Sequence, residues 1–275
     1  MLKEIYHIAV PTAFKADETL DTEHTLSHIR QLYGQGIRSV LICGSTGEQH
    51  SLDLNEKIEL LKAIEKEGLL VKEMEIIFGV SAIRQFEAEA LASEIRKTNI
   101  AAILLGYPPY LIPTQKEALS YSKSIVSLAG KPVILYNNPA RTGFDLSVES
   151  VLELARLDSV IGLKEAGDPS KATDILRNLS EVPFYLYAGG EKDLMRKISY
   201  GFSRLSSIAG NLAPIKIRSW FESLLSGNKL EQKELDSVSA VIELISKGSP
   251  LVNLKRELNN QGAELGKCRR PLGHS

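Results

Sequence analysis

Eight short apolar runs, each followed by a longer stretch of helical period, constrain this chain more than anything else in it. The runs lie at 5–10, 39–43, 75–80, 101–105, 132–136, 160–164, 184–188 and 204–208. They are rich in Ile, Val and Leu, as strands covered on both faces should be. Amphipathic segments fall between them, at 23–33, 55–67, 86–97, 116–128, 148–155, 168–179 and 192–200. Another follows the eighth run at 212–226, and several open on a capping residue such as Ser147. Strands alternating with helices make βα units and a parallel sheet. Eight such units predict closure into a (β/α)8 TIM barrel, which commonly uses about 250 residues as one unit. The rival, a doubly wound open sheet, would place G-x-G-x-x-G after its first strand, and no such motif stands there. Helical pattern at 231–246 and 251–261 exceeds what eight units need. It predicts a C-terminal helical extension, so that 1–212 carries the barrel core and 213–275 the final barrel helix and the extension of the same unit.

Charge and cysteine usage exclude several function classes. The 275 residues carry a formal net charge of −1 with Lys and Arg scattered, so neither nucleic acid nor an anionic membrane surface is an expected partner. Two cysteines, Cys43 in an apolar run and Cys268 near the end, form neither a disulfide framework nor a zinc pattern. The first apolar stretch is too short for a signal segment, and no run approaches the ~18 apolar residues of a membrane span. A cytoplasmic location is expected.

In a βα barrel, reacting groups project from the C-terminal ends of the strands. Three runs end in unusually polar sequence: Gly44-Ser45-Thr46-Gly47-Glu48, Tyr136-Asn137-Asn138-Pro139-Ala140-Arg141-Thr142-Gly143, and Lys164-Glu165. Lys164 follows Val160, Ile161 and Leu163, so its ammonium faces an apolar interior, where burial favours the neutral, nucleophilic amine. A strand-end lysine more often snorkels to water, and the neighbouring motifs decide against that reading. Tyr136 closes the adjacent strand and is placed to pass protons. Arg141, between a Pro and a Gly, offers a fork for a carboxylate. Ser45 and Thr46 supply hydroxyls on a glycine turn suited to a small carboxylate. Gly189-Gly190 could cradle a phosphate, but Glu191 and Asp193 would repel a dianion. His24 and His28 have metal-like i,i+4 spacing without a third ligand and are expected on the solvent face of an outer helix, so no metal site is expected. His50, just beyond the first polar turn, is a weaker candidate for ligand contact.

In this order the three motifs resemble the signature of the dihydrodipicolinate synthase/N-acetylneuraminate lyase family of class I pyruvate-dependent aldolases, and its synthase branch in particular. The likeness extends from Pro11-Thr12-Ala13-Phe14 through Gly189-Gly190 and Ala209-Gly210-Asn211 to Arg270-Pro271-Leu272. It implies that Lys164 forms an imine with pyruvate, Tyr136 donates and accepts protons, and Ser45 and Thr46 hold the pyruvate carboxylate, with Ser45 also relaying protons. Tyr110 matches a tyrosine lent across a dimer interface, and Gly190 and the main chain of Ser206 match contacts near the imine. Arg141 matches the group that receives the carboxylate of L-aspartate 4-semialdehyde. The implied reaction condenses pyruvate with that aldehyde to 4-hydroxy-tetrahydrodipicolinate, with no cofactor, in a homodimer or homotetramer. Ser45, Asn138, Ala140 and Pro109 depart from the usual synthase residues. Two alternatives stay open: a related aldolase or dehydratase acting on a 2-keto-3-deoxy sugar acid or N-acetylneuraminate, and a catalytically idle binding paralogue. Ile83, Pro109, Leu54 and Lys57 stand where lysine-inhibited relatives bind their effector, with only Glu87 retained, so free lysine is not expected to inhibit.

Overall fold

Eight parallel strands close on themselves in the computed structural model, which describes residues 2–274. The strands are β1 (Tyr6–Ala9), β2 (Ser39–Ile42), β3 (Glu75–Val80), β4 (Ala102–Gly106), β5 (Val133–Asn137), β6 (Val160–Glu165), β7 (Tyr185–Ala188) and β8 (Arg204–Ser207). Closure is made by β1, which pairs with β8 through His7 and Ser206 and with β2 through Ile8 and Val40. Helices α1 (Thr22–Gly34), α2 (Leu54–Glu65), α3 (Gly68–Glu73), α4 (Gln85–Arg96), α5 (Gln115–Ala129), α6 (Pro139–Thr142), α7 (Val148–Leu154), α8 (Lys171–Asn178), α9 (Leu194–Ser199) and α10 (Pro214–Ser226) fall between and after them. Helices α11 (Gln232–Ser246) and α12 (Pro250–Asn260) form the C-terminal extension. The fold is thus the TIM barrel that the alternation predicts. No helix among the described residues is long and apolar enough to cross a membrane.

Several short elements have no counterpart in the sequence reading: an antiparallel pair Ala13–Phe14 with Leu20–Asp21, helices α3 and α6, and 3-10 turns at Gln49–Ser51 and Ala209–Asn211. One turn of helix carries too little periodicity to register. Local chemistry sets α6, with Pro139 at its first position and Gly143 at φ 72° closing it. Helices α8 and α9 are also shorter than the apolar pattern at 168–179 and 192–200 suggests.

Two apolar layers result from strand alternation. Val40, Ile42, Ile76, Phe78, Ile103, Leu105, Val133 and Leu135 pack outward against the helices. Leu41, Ile77, Ala102, Leu104 and Ile134 fill the barrel interior. Strand β6 breaks the alternation. Val160 and Leu163, an odd number of residues apart, both face outward, while Ile161 faces inward. The pairing shows why: Val133 faces Val160, but the next residue, Ile134, faces Gly162. Ile161 is therefore an extra residue, a β-bulge that shifts the phase of everything after it. Strict alternation from Val160 would turn Lys164 outward to the helices; the bulge turns it into the barrel.

Gly162 makes this possible. A Cβ there would lie 2.4 Å from the Tyr185 carbonyl oxygen and 3.2 Å from the Tyr187 ring. Gly162→Ala should therefore force β6 from β7 and lower stability by about 1–3 kcal/mol, the usual cost of overpacking. Urea unfolding of the two proteins measures this, and an unchanged midpoint would show that the strands absorb the methyl without strain.

Candidate active site

At the C-terminal end of the barrel, β5 and β6 lie side by side with Tyr136 opposite Lys164. The Lys164 ammonium, on a side chain only 8% exposed, sits 4.8 Å from the centre of the Tyr136 ring. Burial pushes the amine below its ordinary pKa and the Arg141 charge adds to this, while Tyr136 and Glu191 partly oppose it. Burial alone would push the Tyr136 phenol up. The Lys164 charge, hydrogen bonds from Asn138 and with Ser45, and the Arg141 charge outweigh it, and the phenol lies below its ordinary value. Deeper in the barrel His7 is buried, and burial followed by the charges of Lys164 and Arg204 holds it well below the usual histidine range. The candidate site thus pairs an amine shifted toward its neutral form with a phenol shifted toward its ionised form.

A cavity of about 170 Å³ opens beside Tyr136, lined by Ser45, His50, Tyr107, Tyr136, Asn138 and Arg141 among others. It is smaller than the ~300–1,000 Å³ of drug-sized sites, which suits a small metabolite. Of the residues expected at the site, Ser45, Tyr136 and Arg141 meet in it, with Lys164 against the Tyr136 ring. Tyr110 stands on the rim, 90% exposed, next to the cavity residue Pro109. Lys164, behind the Tyr136 ring, and Thr46, Gly190 and Ser206 are not among the lining residues. Thr46 lies half-buried in the turn beside Ser45, Gly190 follows β7 at φ 113°, and Ser206 is buried within β8. Three non-glycine residues near the cavity, Cys43, Glu48 and Tyr110, are held at positive φ. Such strain persists only where the surroundings enforce it.

Both i,i+4 histidines were expected on the solvent face, and His28 is not. Thr25, Leu26, His28, Ile29 and Leu32 form the buried stripe of α1, and His28 Nε2 lies 2.9 Å from Asn211 Oδ1. His24 bonds Asp21 and Glu264 instead. No cluster of potential metal ligands occurs among the described residues. Glu191 takes the place an anion would occupy after β8, accepting from Ile208 N, Ala209 N and Ser207 Oγ. Sequence reasoning missed the buried Glu48, whose carboxylate pairs with Lys255 of α12 at 2.7 Å and accepts the Arg269 amide at 3.0 Å. A glutamate closing a glycine turn gives no sign of a partner two hundred residues away. Of the residues placed where effector lysine would bind, Lys57 is buried, donating to the Ser81 carbonyl and to Gln49, and Ile83 is exposed.

A model of the dihydrodipicolinate synthetase family matches residues 3–275. The chain belongs to that family. Relatives named 4-hydroxy-tetrahydrodipicolinate synthase include one from Methanococcoides burtonii, 27% identical over 96% of this chain and 90% of its own length. Another, from Shewanella pealeana, is 31% identical over 80% of this chain and 74% of its own. The chloride-inhibited dihydrodipicolinate synthase of Acinetobacter baumannii, solved complexed with pyruvate, has a TM-score of 0.85 at 26% identity, covering 97% of this chain and 91% of that one. As a member of the dihydrodipicolinate synthetase family, this chain is an enzyme of the lyase, class I aldolase type.

Burying Lys164 carries a pH-dependent cost. Its folded pKa lies below the ordinary 10.5. Below the folded value both states hold the proton and the folded state bears the full penalty; above 10.5 neither holds it. Lys164→Met should therefore stabilise the protein by on the order of 1 kcal/mol, as relief of a strained functional group commonly does. The gain should be larger at pH 7 than at pH 10 in parallel urea unfolding. A gain that grows with pH would contradict the burial argument.

Proposed function

We propose that this chain condenses pyruvate with L-aspartate 4-semialdehyde to 4-hydroxy-tetrahydrodipicolinate, through an imine on Lys164. The observation that carries the reading is the buried amine against the ring of Tyr136, a residue that shares one small cavity with the Arg141 fork. The neutral fraction of Lys164 adds to the pyruvate ketone, and water leaves as the imine forms. Tyr136 supplies and recovers the protons, with Ser45 as the next group in the relay. Ser45 and Thr46 hold the pyruvate carboxylate, and Gly190 and the main chain of Ser206 lie alongside the imine. Loss of a methyl proton gives the enamine, which attacks the aldehyde carbon. The amino group of the aldehyde substrate then adds to the imine carbon and displaces Lys164, restoring the amine. The protonated imine on Lys164 is the electron sink, so the reaction draws on no cofactor.

Arg141 sets the second substrate. A guanidinium beside the cavity matches a carboxylated aldehyde, whereas a sugar-derived aldehyde has no need of a charge there. Borohydride added with pyruvate should leave a reduced pyruvyl group on Lys164. Arg141→Ala should keep that adduct yet lose roughly 30-fold or more in kcat/KM for aspartate semialdehyde, corresponding to ~2 kcal/mol or more for a lost charge pair. No adduct in the folded protein would sink the imine reading and favour a binding paralogue. An adduct with unchanged Arg141→Ala kinetics would point to a 2-keto-3-deoxy sugar acid or N-acetylneuraminate.

The working unit in this reading is at least a cytoplasmic homodimer, paired further into a homotetramer, in which Tyr110 completes the neighbouring subunit's proton relay. Support comes from the surface around Tyr110. Ile83, Phe86, Leu111 and Ile112 are all exposed, and Ile83, Leu111 and Ile112 line one groove. Light scattering with a parallel assay should find activity only in dimers or larger assemblies. A fully active monomer would remove Tyr110 from the relay.

A further inference from the structure

Asn138 occupies the position before α6, where an asparagine side chain ordinarily accepts from the first helical amides. It makes no such cap. Its carbonyl is fully used, accepting from Arg141 N at 3.0 Å, Thr142 N at 3.1 Å and Thr142 Oγ1 at 3.1 Å, so the residue is pinned by its backbone. The side chain turns back instead, and its Nδ2 donates to Tyr136 Oη at 2.6 Å. An apolar residue would satisfy this half-buried position, so the donor has to be explained by what it touches.

Around the Tyr136 oxygen the chemistry is of one kind. Asn138 donates to it, the Ser45 hydroxyl bonds to it, Lys164 stands against its ring and the Arg141 charge is close by. An amide nitrogen can only donate, so the phenol oxygen must accept there. Its own proton is then directed away from Asn138, toward Ser45 and the cavity.

We propose that Asn138 is a positioning residue for proton transfer: its amide fixes Tyr136 Oη as an acceptor, aims the phenol proton toward Ser45 and the cavity, and stabilises the phenolate when that proton leaves. The proton moves to the substrate side and returns by the same path, with no net change in the enzyme. This rests on the reading of Lys164 and Tyr136 as the reacting pair. It gives Asn138, which replaces the usual residue of the tyrosine motif, a task in this chain's own chemistry.

The test compares the parent protein with Asn138→Leu, which removes the donor at similar volume, and Asn138→Asp, which replaces it with an acceptor. Tyrosinate absorbance is titrated in each, against the same protein carrying Tyr136→Phe, so that only Tyr136 is read. The Tyr136 titration should move to higher pH in Asn138→Leu and further in Asn138→Asp. The pH profile of kcat with pyruvate and aspartate semialdehyde should shift in the same sense. At neutral pH, kcat should fall ~10-fold, part of the ~10²–10⁴-fold that a positioned acid–base group supplies, while the Lys164 pyruvyl adduct still forms. Should Asn138→Leu fold poorly, Asn138→Ala carries the same titration. An unmoved titration in a folded variant, or a shift to lower pH in Asn138→Asp, would overturn the proposal. A parent protein that forms no adduct would instead sink the imine reading, and the titration would still judge Asn138.

Discussion

The phase of β6 is the constraint on which the site depends. A closed barrel has a densely packed interior and no free edge, so a residue's side is decided by counting along the strand. One extra residue at Ile161 inverts that count and delivers Lys164 inward, opposite Tyr136. Without the inversion the amine would meet the outer helices and the same sequence would hold no electrophile-seeking group. The bulge in turn needs a neighbour without a side chain, because the carbonyl of Tyr185 approaches Gly162 too closely for a Cβ. Fold and chemistry therefore meet at two small, adjacent features of one strand.

Once inside, Lys164 and Tyr136 set each other's state. Burial works against charge on either group, but the two burdens act in opposite directions on proton affinity: down for the amine, up for the phenol. The ammonium offsets the phenol's penalty, as do the Asn138 donor, the hydrogen bond with Ser45 and the Arg141 charge. The result is an amine shifted toward its neutral form and a phenol shifted toward its ionised form, within one pair. Protons in such a pair belong to both groups together. Arg141 acts on both members and also lines the cavity, so a charge at the cavity wall is electrically part of the pair.

A second buried pair ties the far end of the chain to the same region. Glu48 ends the Ser45–Gly47 turn at positive φ, and its carboxylate is held by Lys255 and by the Arg269 amide. Lys255 and Arg269 also stack on the Phe14 ring, at 4.4 and 4.3 Å. Arg269 pairs with Glu56 at the start of α2. A buried ion pair adds little net stability over apolar packing, but breaking it leaves an uncompensated charge, so it specifies one arrangement. Here it specifies where the hydroxyl-bearing turn sits. The extension is therefore a clamp on the active end of the barrel rather than an ornament on its side.

By itself the sequence determined the architecture, because eight apolar runs covered on both faces and spaced by helices leave few closed solutions. It also pointed to the candidate site residues, since Lys164, Tyr136, Ser45 and Arg141 each sit where a run ends and polarity begins, or just beyond. Short elements such as α3 and α6 were illegible because one turn has no period to detect. His28 looked solvent-facing because its spacing with His24 was read without the phase of α1's apolar stripe. Only the tertiary structure decided which face of β6 carries Lys164, that Glu48 meets Lys255, and that Asn138 forgoes its helix cap to reach Tyr136. The first two depend on strand register and on contacts between distant segments, and the third on a side-chain orientation that no periodicity encodes. Local periodicity fixes which residues share a face, while the facing partner is chosen only when the chain closes and every buried polar group must find one.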